Sequence, residues 1–200
     1  IQKFQIICRG QVNVIDANGI VGKHNNNIPL EMFKNTTNLT LAGPRLRQLG
    51  REMNKLTKSE SEINVLHALS ARLADVIKYR KGMTDTSTTA EMAMEIGAGV
   101  CQDHAHAFIA VARYLGLSAR YVSGYLLMRD KKIQNASHAW AEVFTEGLGW
   151  VGFDISNGKI QGVRTSKGDI KAKKIGLCVA GSTNVLAEKL NMTLPIETHL

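Results

Sequence analysis

Two short alternating segments joined by three residues constrain this chain more than any other feature. From Ser137 to Phe144, small apolar residues alternate with His138, Trp140, Glu142 and Phe144, which therefore share one face of a strand. Trp150, Gly152 and Asp154 share one face of a second strand over 149–155. Thr145-Glu146-Gly147 between them fits a three-residue hairpin loop with its glycine in the left-handed conformation. So short a connection permits only antiparallel pairing. This loop sets His138 directly opposite Asp154, and a slip of one residue would send the two to opposite faces. A carboxylate beside a histidine fixes the tautomer, supports the imidazolium and leaves the other ring nitrogen for a nucleophile. On spacing alone, an exposed His–Asp pair on a sheet face is the alternative.

Helices precede the hairpin. Ser59 and Glu62 offer a capping box. Ile63, Leu66, Leu69, Leu73, Val76 and Ile77 then recur at helical spacing, with Gly82 as the stop. Thr88 or Thr89 can cap a short helix through Ile96, which Gly97-Ala98-Gly99 breaks. A further helix runs from Cys101 to Leu115 and stops at Gly116, and a strand follows over 119–128. Upstream, residues 4–15 read as one or two strands, Asp16-Ala17-Asn18-Gly19 as a turn, and 22–44 as loop with at most one short strand. Beyond Lys159 the pattern weakens to a strand or two. The expected divisions are a β-rich N-terminal remnant and linker (1–58), a core (59–158) and a C-terminal segment of uncertain structure (159–200).

Cys101 follows Gly99-Val100 and opens its helix. A thiol there faces the positive end of the helix dipole and unsatisfied N–H groups, which favour the thiolate and can hold an oxyanion beside the sulfur. Gly99 lets a substrate backbone come close. A lone cysteine at such a place is also compatible with a packing role. Gln102 and Asp103 lie in the first turn. Asp103 complements the dipole or positions substrate or a loop, and Trp150, on the Asp154 face, either walls a cleft or packs in the core. A Cys101–His104–His106 zinc site is disfavoured, because helical geometry turns His106 away and no metal motif is present. No metal and no cofactor are expected.

Gly99-Val100-Cys101-Gln102-Asp103-His104-Ala105-His106, with Ala112-Arg113-Tyr114-Leu115-Gly116-Leu117-Ser118-Ala119-Arg120-Tyr121-Val122-Ser123-Gly124-Tyr125, resembles the core of the transglutaminase-like superfamily. Ser137-His138-Ala139-Trp140-Ala141-Glu142-Val143 and Gly149-Trp150-Val151-Gly152-Phe153-Asp154 resemble its His and Asp blocks, in the family's order. Within the superfamily, the likeness is to bacterial transglutaminase-like proteins proposed to be cysteine proteases. It is strong over 63–158 and weak over 1–62. It implies a papain-like core of the α+β class, a Cys-bearing helix packed on an antiparallel sheet that bears His and Asp. It implies a Cys101–His138–Asp154 triad acting on amide bonds, by hydrolysis of a peptide or isopeptide bond. Transfer to an amine, or a non-catalytic binding module on the same fold, are the alternatives. Family members commonly carry a larger N-terminal β-sandwich and a longer return to the sheet after the Asp block.

The formal charge is +8, concentrated as +4 over residues 45–58 and +5 over 159–174. These patches read as solvated surface that can favour an anionic peptide or protein substrate. No aromatic residue interleaves with the lysines, so nucleic acid is not the expected partner. No run of ~18 apolar residues is present, and no membrane partner is expected. Cys8, Cys101 and Cys178, far apart and odd in number, argue against a disulfide framework and for a reducing, cytoplasmic setting. Oligomeric state has no sequence signal.

Overall fold

The segment after Cys101 carries small or apolar side chains on almost every side, and a helix of that kind needs burial on almost every side. The structure is a computed structural model describing residues 19–25, 27–124, 137–157, 162–165 and 168–171. In chain order it contains strand β1 (Ile20–Gly22), two 3-10 turns (Leu30–Lys34 and Asn38–Thr40), helix α1 (Pro44–Leu56) and helix α2 (Glu62–Val76). Then come β2 (Lys78–Tyr79), α3 (Ala90–Ile96), β3 (Ala98–Gly99) and α4 (Cys101–Tyr114). Strands β4 (Ala119–Gly124), β5 (His138–Thr145), β6 (Gly149–Phe153), β7 (Gly162–Thr165) and β8 (Gly168–Lys171) follow. α4 sits at the centre, against α1, α2 and α3 on one side and β4 and β5 on the other.

The main sheet has the order β1-β6-β5-β4 and is antiparallel throughout. Its inner face presents Ala119, Ala141, Val143, Val151 and Phe153 to α4, where Phe108 stacks on Phe153 at 5.0 Å. Leu46, Leu49, Leu66, Leu69 and Leu73 close the core from α1 and α2. Each such leucine contributes about 1.5–3 kcal/mol by burial. The outer face carries Arg120, Glu142, Phe144 and Trp150. There the segment through Phe33 lies over Trp150, with the two rings 5.1 Å apart and edge to face. Arg113 ties α4 to this segment and to the sheet, donating to the carbonyls of Phe33 and Ala119 and to Thr40 Oγ1.

Several expectations are met in the structure. Thr89 caps α3 by accepting from Met92 N–H, and Gly97 ends it at φ 69. Gly116, at φ 86, follows α4. Other boundaries differ. Residues 44–56, expected to be linker, form α1, because Leu46, Leu49, Met53 and Leu56 make an apolar stripe beneath the arginines and Pro44 sits at the first turn. Glu91 of α3 accepts from the N–H groups of Arg45 and Leu46, which no α1 side chain caps. α2 starts from Ser61, not Ser59. It ends at Val76 rather than Gly82, because the chain turns there into β2 and pairs in parallel with β3. The strands expected at 4–15 and the end of the one expected over 119–128 lie outside the described residues. β7 and β8 form a separate antiparallel pair. Among the described residues no helix is long and apolar enough to cross a membrane.

Candidate active site

Cys101 is placed by two neighbouring elements. Gly97 stops α3, and Ala98-Gly99 pairs with Lys78-Tyr79. Val100 then enters α4 in an extended conformation, so that Cys101 is the first residue of the helix. Its thiol is free and half-buried. The first N–H groups of a helix lack intrahelical acceptors, and Val100 at the N-cap offers no side-chain oxygen to occupy them.

His138 opens β5 and Asp154 follows the last residue of β6. His138 Nε2 donates to Asp154 Oδ2 at 2.8 Å. A carboxylate only accepts, so Nε2 carries the proton and Nδ1 is the nitrogen left for another partner. The strand register differs from expectation by two residues. Thr145 pairs with Gly149 and Ala141 with Phe153, so the loop is Glu146-Gly147-Leu148. Asp154 therefore sits diagonally from His138, not directly opposite. A shift of two preserves the face, and the side chains still meet. Asn157 completes the arrangement: its N–H donates to Asp154 Oδ1 and its Nδ2 to Asp154 Oδ2. The Asp-x-x-Asn spacing is a turn signal present in the sequence and missed there. Trp140 stacks on His138, rings 6.2 Å apart. Gly124 makes room for it, since a Cβ there would lie 2.7 Å from the indole.

Two phenols share the surroundings of Cys101. Tyr79 is 49% exposed and Tyr121 is 41% exposed. Burial raises the pKa of Tyr79, with further contributions from the charges of Cys101 and Asp154. Burial likewise raises Tyr121, followed by the charges of Cys101 and Asp103. His104, only 2% exposed, lies under Tyr79, with its Nε2 2.7 Å from the Ile77 carbonyl and its Nδ1 3.0 Å from Ser156 Oγ. The carbonyl requires Nε2–H, and Ser156 then donates to Nδ1. Burial holds the pKa of His104 below the ordinary histidine value, against the opposing effects of the Ile77 bond, Asp103 and Asp154. Burial lowers His106 as well, opposed by Asp103.

The remaining predicted residues fall into different places. Asp103 is fully buried, and its Oδ2 accepts from Val100 N–H and Thr84 Oγ1–H. Gly99 lacks a Cβ because that carboxylate fills the space 2.7 Å away. The need there is close approach of Asp103, not of a substrate. Gln102 donates to the Asp85 carbonyl. Trp150 is 1% exposed beneath Phe33, Phe144 and His24, and donates from Nε1 to His24 Nδ1. It packs the outer face of the sheet and walls no cleft. Both His104 nitrogens are engaged within the protein, and no metal-like cluster of His, Cys, Asp and Glu occurs among the described residues.

A helix-borne thiol beside a sheet whose strand ends hold a bonded His–Asp pair defines a class of protein. The model of the transglutaminase-like superfamily matches residues 47–155, and the chain belongs to that superfamily. Uncharacterized proteins of Mycobacterium tuberculosis and Mycobacterium bovis are 38% identical over 108 residues, 49% of this chain and 34% of each relative. One from Mycobacterium leprae is 31% identical over 126 residues, 60% of this chain and 43% of the relative. The chain thus spans about a third to two fifths of the curated relatives' length. Among solved structures, a proposed cysteine protease from Cytophaga hutchinsonii superposes with a TM-score of 0.53 at 24% identity, over 78% of this chain and 46% of that one. That likeness establishes the mixed helix and antiparallel-sheet fold. The periplasmic domain of TgpA from Pseudomonas aeruginosa aligns with a TM-score of 0.46 at 25% identity, over 60% of this chain and 47% of its own.

Proposed function

We propose that this chain is the acyl-transfer domain of a cysteine enzyme acting at amide bonds, with Cys101 as nucleophile, His138 as base and Asp154 as its orienting partner. The observation that carries the reading is the 2.8 Å His138–Asp154 bond at the strand ends. It leaves Nδ1 for the thiol. Cys101 Sγ attacks the carbonyl carbon while its proton passes to His138 Nδ1. The first-turn N–H groups of α4 stabilise the oxyanion. Collapse of the tetrahedral intermediate expels the amine, which takes the proton from His138 and leaves a thioester on Cys101. Water, deprotonated by His138, releases the acid and regenerates the thiol. The substrate is a peptide or isopeptide.

The test uses p-nitrophenyl acetate as a generic acyl donor, with iodoacetamide as a thiol probe. A burst of p-nitrophenol and an acetyl adduct on Cys101 are expected, lost in Cys101→Ala and His138→Ala. Iodoacetamide should label Cys101 well ahead of Cys8 and Cys178 in the folded protein. Equal labelling of the three would end the triad reading. Acetyl passing to added glycine ethyl ester with no acid formed would replace hydrolysis by transfer to an amine.

A further inference from the structure

The acyl-transfer steps have no use for Asp103, yet it is the fully buried carboxylate of the helix that bears Cys101. Its contacts are specific. Oδ2 lies 2.7 Å from Val100 N and 2.6 Å from Thr84 Oγ1, while Oδ1 is buried with no hydrogen-bond partner among the described residues. Gly99 is kept free of a Cβ by the same carboxylate. Gln102 adds a second tie to the loop through the Asp85 carbonyl at 2.7 Å, and Asp85 is itself locked by Ser87 and Thr88. A Ser, Thr or Asp at the N-cap would normally accept from the N–H groups of the first turn. Here the N-cap is valine, and the cap is made from the third helical residue back to Val100 N–H. The entry of the helix is thereby fixed without occupying the N–H of Cys101 or Gln102. Those are the donors an oxyanion on the attacked carbonyl would need.

We propose that Asp103 is a positioning residue for the oxyanion: it clamps the Gly99–Val100 peptide to the Thr84 loop, so that the first-turn N–H groups face the developing charge. This rests on Cys101 being the nucleophile. Two reactions of one thiol separate the two ideas. Acyl transfer passes through an oxyanion, whereas alkylation by iodoacetamide occurs at a saturated carbon and forms none. Asp103→Ala should lower kcat for p-nitrophenyl acetate by about 10²–10³-fold with KM little changed, while the alkylation rate of Cys101 stays within about threefold of wild type. Asp103→Asn, whose amide oxygen can accept both bonds, should recover kcat to within about tenfold. Thr84→Val removes one bond and should lower kcat by about tenfold with alkylation preserved, which keeps the test open if Asp103→Ala does not fold. Equal slowing of both reactions, an Asp103→Asn as damaging as Asp103→Ala, or an unchanged kcat in Thr84→Val would each overturn the assignment. Failure of the wild-type protein to acetylate or alkylate at Cys101 would instead overturn the nucleophile reading.

Discussion

At Asp154 the structure joins two kinds of partner on one carboxylate. His138 Nε2–H and Asn157 Nδ2–H both donate to Oδ2, and Asn157 N–H donates to Oδ1. An Asp154→Asn side chain of the same shape can turn its NH2 toward Nε2. The ring proton then moves to Nδ1, where it blocks acceptance from a thiol. Acyl transfer should fall by about 10³-fold or more, with little change in the unfolding midpoint. Asn157→Ala leaves the carboxylate but frees its rotation, and a loss of about tenfold in kcat is expected from misorientation of His138. Steady-state hydrolysis of p-nitrophenyl acetate beside urea unfolding measures both. An Asp154→Asn variant with wild-type turnover would show that the His138–Asp154 bond is only structural. At Gly99 the expected approach of a substrate backbone gives way to the Asp103 carboxylate from the first turn of α4, which fills that space. At Trp150, of the two readings open in the sequence, packing is the one met, under Phe33 and His24.

Between elements, the clearest energetic link is that of β4 to β5. Arg120 and Glu142 pair directly across the strands, with Nη2 to Oε2 at 2.6 Å, and the guanidinium lies 4.2 Å over the Trp150 ring. Glu142 is 5% exposed, but Arg120 keeps 28% of its side chain exposed, so its guanidinium is only partly stranded when Glu142 is lost. Glu142→Leu should cost about 1.5–3 kcal/mol, the worth of a hydrogen bond to a charged group, and Arg120→Met combined with Glu142→Leu should recover most of it. Urea denaturation of the two single variants and the double would show additive losses if the pair were unimportant. The elements themselves were largely legible, because α2 and the hairpin carry clear periodicity and α3 and α4 are followed by glycines of positive φ, Gly97 and Gly116. α1 was not legible because its N-cap, Gly43, offers no side chain, and the acceptor for its first N–H groups, Glu91, comes from α3. The hairpin register came out two residues off because Gly147 and Gly149 both take positive φ, at 85 and 80, so either could anchor the loop. Hydrophobic alternation with a period of two cannot distinguish registers that differ by two. For the same reason the faces of His138 and Asp154 were read correctly.

Over the whole molecule, His104 joins three parts that the sequence keeps far apart: α4, the α2–β2 junction through Ile77, and the turn after β6 through Ser156. Both the Cys101 helix and the Asp154 turn are thereby referred to one buried ring, and Tyr79 stacks on it. Burial depresses the pKa of His104, and of His106 two residues further along α4. In the unfolded chain each titrates near 6.5. Above about pH 6.5 both rings are neutral in both states, and the folded protein keeps its full stability. Below it, the unfolded chain takes up protons that the folded chain refuses, so stability falls as pH falls toward the folded pKa values. Each histidine contributes a slope of up to about 1.4 kcal/mol per pH unit. Urea midpoints measured from pH 7.5 to pH 5 should therefore decline, most steeply below about pH 6.5. His104→Gln should be less stable at neutral pH, since its ring bonds and the stacking with Tyr79 are lost. Its stability should nonetheless depend less on pH, with up to one proton fewer bound on unfolding. His106→Gln should flatten the curve with a smaller loss at neutral pH, because among the described residues His106 Nδ1 has no hydrogen bond to lose, although its ring contact with Tyr121 goes. A His104→Gln curve parallel to wild type across this range would mean that His104 binds protons equally in the folded and unfolded chain. Burial would not then be holding the ring neutral against the falling pH.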